Sequence, residues 1–360
     1  MTQTLTPQLD AAAMDRLFRL LQPVAPSGYE QAANDAFCEV ARELGAREVH
    51  IDNGGNPVAW FGSAGAPVRR MLTAHLDEIG FQVTKIESSG LIRIGPIGGW
   101  DGAIPAGHRV RIVASGPDAA HDDGAHTVGV VARAAVHLLS EQQRESIPDF
   151  KDLWVDIGAV DGDDARRFVR VGDPMVIDTP IHMYPSRRLT SRALDDRVCV
   201  FLALEAAARA DNDRVERVVL GAGTEEIGGF GALVGTYGIR PAEAIAIDVA
   251  PTSDVPGDHE SDIELGKGPV VHFGTILSQR VGRSLVAIAD QLGITVQVEA
   301  AGTYTSTDSE DVAAAGPGVV TGLLSVPTRN LHMPGETCDL QDVEQAIAVL
   351  AAWLDRDIPA

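Results

Sequence analysis

The sequence is short of cysteine, of positive charge and of long apolar runs. Its 3 cysteines (Cys38, Cys199 and Cys338) lie far apart and form no CxxC pair. That spacing disfavours both a disulfide framework and a thiolate zinc site. Basic residues number 29 against 51 acidic ones, a net charge of −22. Such a surplus repels phosphate backbones and anionic lipid, so neither nucleic acid nor a membrane is expected as a partner. No stretch approaches the roughly 18 consecutive apolar residues of a transmembrane helix. The opening residues, MTQTLTPQLDAAAMDRLFRLL, lack the basic head, apolar run and small-residue cleavage site of a secretory signal. The expectation is a cytoplasmic protein. Internal repeats and low-complexity segments are absent too.

What is present suffices for a core. Hydrophobic residues make up 45% and charged residues 22%, which excludes wholesale disorder, and 360 residues suggest two domains. Leu9, Met14, Leu17 and Leu21 recur at helical spacing, and a second helix is expected from Glu30 to Leu44, capped by Gly45. VRRMLTA (68–74) reads as a strand running into His75-Leu76-Asp77. From about Gly80 to Asp178 short β-type runs follow one another: GFQVTKI, GLIRIGP, RVRIVA, HTVGVVA, LWVDIG and DPMVIDTP. One brief helical stretch, Asp163 to Val169, interrupts them, and the spacing of turn residues predicts a small barrel or sandwich. After Ser191, strands and helices alternate again to a final helix over Asp339 to Leu354. The pattern predicts an α/β fold with a mostly parallel, helix-covered sheet. Residues 1–80 and 180–360 would form this domain, and a β-barrel-like domain (81–179) would be inserted in it.

The chemistry gathers just past the expected strands. VRRMLTA runs into His75 and Asp77, VERVVLGAGT into Glu225 and Glu226, AEAIAID ends in Asp248, and GVVTGLLSVPTRNL runs into His332. In open α/β sheets ligands bind beyond the carboxyl ends of the strands. Taken singly each has a plain explanation. His332 could be a hydrogen-bonded core histidine, and Glu225-Glu226 a helix N-terminus. Asp195-Asp196-Arg197 could be an N-cap with a surface ion pair. Four separate segments together point to a site. Two divalent cations would be balanced by Asp195, Glu226, Asp248 and one hydroxide, with His75 and His332 as neutral terminal ligands. Nitrogen and oxygen donors without thiolate suit zinc or cobalt better than magnesium or calcium. Glu225, outside that count, is free to act as general base.

AHLDEIGF (74–81), ALDDRV (193–198), GTEEIGGFGA (223–232), AIDVAP (246–251) and SVPTRNLH (325–332) resemble the tetrahedral or glutamyl aminopeptidases, metallopeptidase family 42. The resemblance runs from APSGYE to the final helix. It implies a dinuclear-zinc-exopeptidase-like domain interrupted by a barrel-like domain used in assembly. It also implies His75 and Asp248 on one metal, Glu226 and His332 on the other, and Asp195 shared. Glu225 would be the base and Asp77 would orient His75. The chain departs from the family in Thr307-Asp308-Ser309, where alanine usually follows the aspartate, and in His332-Met333-Pro334-Gly335-Glu336, where Ser-Pro usually follows the histidine. Cys199 stands where glycine is common.

The implied activity is hydrolysis of the N-terminal residue from short peptides by a metal-dependent aminopeptidase. Self-association is expected, a dodecamer ahead of a dimer. A dinuclear deacylase of small acylated amino acids is the near alternative. An endoglucanase is a weaker one, because it needs two carboxylates facing each other across a sugar, whereas Glu225 and Glu226 are adjacent.

Overall fold

A computed structural model describes residues 8–118, 126–257 and 261–356. Helices α1 (Ala11–Leu21) and α2 (Gln31–Glu43) lead into strands β1 (Glu48–Ile51), β2 (Pro57–Phe61) and β3 (Val68–His75). Strands β4 (Gly80–Ile86), β5 (Ile92–Ile97), β6 (Arg109–Ile112), β7 (Thr127–Arg133), β8 (Leu153–Asp156) and β9 (Pro174–Ile177) follow, with helices α3 (Glu141–Glu145) and α4 (Gly162–Phe168) among them. Next come β10 (His182–Met183), β11 (Arg188–Ser191), α5 (Leu194–Arg209), β12 (Val215–Ala222), α6 (Phe230–Ile239) and β13 (Glu243–Pro251). The chain continues through β14 (Val270–Gly274), α7 (Gln279–Leu292), β15 (Gln297–Ala301), α8 (Ser309–Ala314), β16 (Val320–Arg329), β17 (Glu336–Asp339) and α9 (Leu340–Asp355).

The main sheet runs β1-β2-β12-β3-β13-β16-β17-β11-β10, with β14 and β15 attached at β16. Its centre, β12-β3-β13-β16, is parallel, as expected, while the flanking pairs are antiparallel, so the sheet as a whole is mixed. The central strands are buried along nearly their whole length, because helices cover both faces. One core lies between the sheet and α1, α2, α5, α7 and α9. A smaller one, including Met71, Val218, Leu220 and Ala232, lies under α6 and α8. Helix α5 is buried on nearly every side, since it lies between the sheet and α1 and α9.

The six strands β4 to β9 close into a barrel in the order β4-β5-β8-β7-β6-β9. Each corresponds to one of the six β-type runs read from the sequence. The barrel has its own core, including Phe81, Ile92, Val110, Val131 and Met175. Helix α4 matches the expected interruption, and α3 adds a second one that the polar segment SEQQRES did not announce through any apolar period. Its start is fixed instead by a capping box between Ser140 and Gln143.

Candidate metal centre

Parallel strands β3 and β13 end at the same edge of the sheet, and so do the turns after β12 and β16. This edge collects His75, Asp77, Glu225, Glu226, Asp248 and His332, while Asp195 and Asp196 reach it from the start of α5. His75 is the last residue of β3 and is buried. Its Nδ1 lies 3.1 Å from the backbone carbonyl of Asp77, which leaves Nε2 facing the cluster, 3.0 Å from Asp195 Oδ1. The other oxygen of Asp195 points to His332 Nε2 at 3.6 Å. His332 Nε2 also lies 3.3 Å from Glu226 Oε2. Asp195 thus presents one carboxylate oxygen to each imidazole.

Asp77 is buried and does more than face His75. Its carboxylate accepts from Ser27 Oγ at 2.6 Å and from the backbone N–H groups of Glu225 and Glu226 at 3.1 and 3.2 Å. Its Oδ1 stands 3.5 Å from His75 Nδ1, farther than its own carbonyl oxygen. Burial alone would raise its pKa, but His75 and these donors hold it below the usual carboxylate range. The turn bearing Glu225 and Glu226 is therefore anchored through Asp77. Gly231 allows the chain to fold back there, since a β-carbon on it would lie 2.3 Å from the Gly223 carbonyl oxygen.

Asp196 is the residue that sequence reasoning left aside. Beside Asp195 it read as part of an N-cap with a surface ion pair, yet it is wholly buried. One of its oxygens accepts from the His75 N–H at 3.1 Å and the other, Oδ1, has no hydrogen-bond partner. Arg197 is equally buried and pairs with Glu78, 2.9 Å away, not with either aspartate. The signal available in the sequence was the apolar run VCVFLAL, too hydrophobic for a surface helix.

Two groups of possible ligand atoms lie within 4.8 Å of one another: His75, Asp196 and Asp248, and His75, Asp195 and Glu226. The group that includes Asp248 thus contains Asp196, where the sequence reading had placed Asp195. Burial drives the Asp196 and Asp248 carboxyls well above their usual range, and it raises Glu226 as well. Burial likewise lifts Glu225 to about 7. His332 rises to about 9, through its hydrogen bond to Glu226 first. So many buried carboxylates repel one another unless cations or protons intervene. The orphaned Asp196 oxygen, the acidic cluster and the nitrogen-and-oxygen donor set all fit divalent cations. Cys199, buried beside Asp196, keeps its thiol protonated because burial raises its pKa well above the usual value.

Residues 55–349 match the family model for the M42 glutamyl aminopeptidases. The chain is 33% identical to the putative aminopeptidase SgcX of Escherichia coli, over 95% of this chain and 93% of the relative. It is 29% identical to the lysyl aminopeptidase of Pyrococcus furiosus, over 94% and 95%. Among solved structures, the TET1 peptidase of Pyrococcus horikoshii superposes with a TM-score of 0.80 at 27% identity, covering 95% of this chain and 98% of that one. That peptidase can assemble into a tetrahedron or a large octahedral shell. With the sheet, the barrel and the acidic cluster in place, these matches establish that the chain belongs to the M42 aminopeptidase family and is a metal-dependent aminopeptidase.

Proposed function

We propose that this protein removes residues one at a time from the free N-terminus of short peptides, with two divalent cations and Glu225 as its working parts. One observation carries the reading: the Asp195 carboxylate lies between His75 and His332, one oxygen toward each. His75 and Asp248 would hold one cation and Glu226 and His332 the other, with Asp195 between them. When bound, zinc or cobalt ions would polarise the scissile carbonyl and lower the pKa of a water between them. Asp77 fixes His75 through its carbonyl and holds the Glu225–Glu226 turn through its carboxylate. Glu225, with Oε2 3.9 Å from His75 Nε2, would accept the water's proton at a carboxylate oxygen and deliver it to the departing amine.

The separate cores of sheet and barrel support a division into 1–80 with 180–360 and an inserted 81–179. The shells and the dodecamer formed by similar TET1 peptidases support self-association, with a dodecamer ahead of a dimer. A cytoplasmic setting fits the free, buried Cys38, Cys199 and Cys338. No helix among the described residues is long and apolar enough to cross a membrane. The deacylase and endoglucanase alternatives draw no support from relatives that are named aminopeptidases.

Mass spectrometry of a peptide digest tests the reading. Zinc- or cobalt-loaded protein should give a ladder shortening by single residues from the N-terminus, and an N-acetylated peptide should survive. Internal fragments appearing first, or cleavage only of the acylated peptide, would overturn it.

A further inference from the structure

At the edge of the sheet opposite the metal centre, β3 and β13 begin side by side, with Arg70 in register with Glu243. A cavity of about 340 Å³ opens there between the strand starts, the first turns of α7 and the end of α9. Arg70, Arg280, Arg283 and Arg356 line it, and Glu243 is the one carboxylate among its described lining residues. Composition works against such a cluster, since acids outnumber bases by 51 to 29. Elsewhere Arg16, Arg19, Arg47, Arg69, Arg167 and Arg329 each find an acid.

Glu243 is buried and fully engaged: Oε2 accepts from Arg70 Nε at 3.1 Å, and Oε1 lies 2.5 Å from Arg280 Nη2. Arg70, only 2% exposed, donates through Nη1 to the carbonyls of Trp353 and Arg356. Its guanidinium also sits 4.7 Å from the centroid of the Trp353 ring. Its Nη2 has no acceptor among the described residues. Arg356 donates to the Ser284 hydroxyl at 3.1 Å, and neither it nor Arg283 pairs with a carboxylate among the described residues. Two of the four charges thus share one carboxylate and two have none. Burial first, and then the charges of Arg280 and Arg356, push Arg70 below its usual pKa against the pull of Glu243.

We propose that this cavity binds a multivalent oxyanion of the phosphate class, held by Arg70, Arg280, Arg283 and Arg356. Guanidinium forks match the oxygens of such an anion, and the charge-assisted hydrogen bonds they give are the strong ones. The surplus of positive charge over Glu243 suits a divalent or trivalent anion, whereas a monovalent carboxylate would leave most of the repulsion in place. A bound anion would tie the start of β3 to α7 and α9 and so stabilise the folded chain. The site is separate from the metal centre, because β3 carries Arg70 and His75 toward opposite edges of the sheet.

Calorimetry tests this with sulfate, inorganic phosphate and phenyl phosphate, and with acetate as the monovalent control. Bound cations attract the same anions, so metal-loaded and metal-stripped protein are titrated side by side. One site per chain with a Kd below about 1 mM, present in both samples and absent for acetate, is the expected result. The melting temperature should rise with the oxyanion concentration. Arg283 is exposed, so Arg283→Glu should fold normally and weaken binding by about tenfold or more. Arg356→Gln, at the other wall, should weaken it too. Equal affinity for sulfate and phosphate would mark a free oxyanion as the occupant, and a preference for phenyl phosphate a phosphate monoester; either supports the proposal. Binding that disappears with the metals, or that neither variant moves, would overturn it. So would binding of a polyglutamate peptide in place of all three oxyanions, which would make the cavity a contact for an acidic protein. The aminopeptidase reading stands in each case, since none of these residues belongs to the metal centre.

Discussion

Asp195 turns one oxygen toward each of two histidines, whereas Asp196 accepts from a backbone N–H with one oxygen and leaves the other unpaired. A shared ligand and a ligand of one ion differ in what their loss removes. Asp195→Ala should therefore cost both cations, while His332→Ala, at the partly exposed end of the cluster, should mainly weaken one. Metal analysis of the purified variants decides it, and two tightly held ions in Asp195→Ala would exclude the bridging role. Glu225 presents a separate case, because nothing in the proposed ligand count needs it. Glu225→Gln keeps the shape and removes the proton acceptor, so turnover should fall about 10²–10⁴-fold with metal content unchanged. Near-normal turnover at full metal content would refute its role as the base.

The elements that carry these residues are tied together by an ion cluster out of reach of water. Glu78, just past β3, pairs with Arg192 and with Arg197 in the first turn of α5. The two guanidiniums also bind carbonyls of the segment between α1 and α2: Arg197 reaches Pro23 at 2.6 Å, and on the other side of the cluster Leu76 at 2.8 Å. Burial pushes Arg197 below its usual pKa and would raise Glu78, yet the two arginines hold the Glu78 carboxyl below its ordinary range. Glu78→Ala would leave two buried cations uncompensated, a loss of about 3–5 kcal/mol. Denaturant unfolding beside the wild type measures it, and a loss under about 1 kcal/mol would show that the cluster is not what braces α5. This cluster also marks the limit of what the sequence discloses. The edge where ligands gather was legible, because apolar runs lead to His75, Glu225 and Asp248, although β13 runs on past Asp248 to Pro251. All six barrel strands were legible from their turn residues. Asp196 and Arg197 were not, since a pair of acids followed by arginine looks the same at a solvated helix start as inside a core. The apolar run VCVFLAL points toward burial of this helix, and the partners that long-range packing brings, Glu78 and His75, identify what each residue does there. The antiparallel flanks of the sheet were hidden for a similar reason: β1, β2, β10, β11 and β17 are short, and their direction is set by pairing partners distant in sequence.

At the scale of the whole molecule, two groups stand out among the exposed apolar residues. The barrel exposes Val128 and Val130 on β7, followed by Val136, Leu138 and Ile147. Helix α6 exposes Phe230, Val234 and Tyr237, spaced one turn apart along one side. A closed tetrahedral shell needs contacts around both two-fold and three-fold axes, and two separate faces on each copy can supply them. Under the proposed dodecamer, the barrel group would make the dimer contact and the α6 face would join dimers. A net charge of −22 on every copy opposes assembly, so the shell should hold better at physiological ionic strength than at low salt. Light scattering at micromolar concentration should then give twelve times the chain mass for the wild type. Val234→Glu with Tyr237→Glu should stop at dimers, and Val136→Glu with Leu138→Glu should give monomers that still bind metal, because neither pair touches the ligand cluster. A wild-type monomer would exclude self-association through these faces. Barrel variants that still form the full shell would move the dimer contact elsewhere.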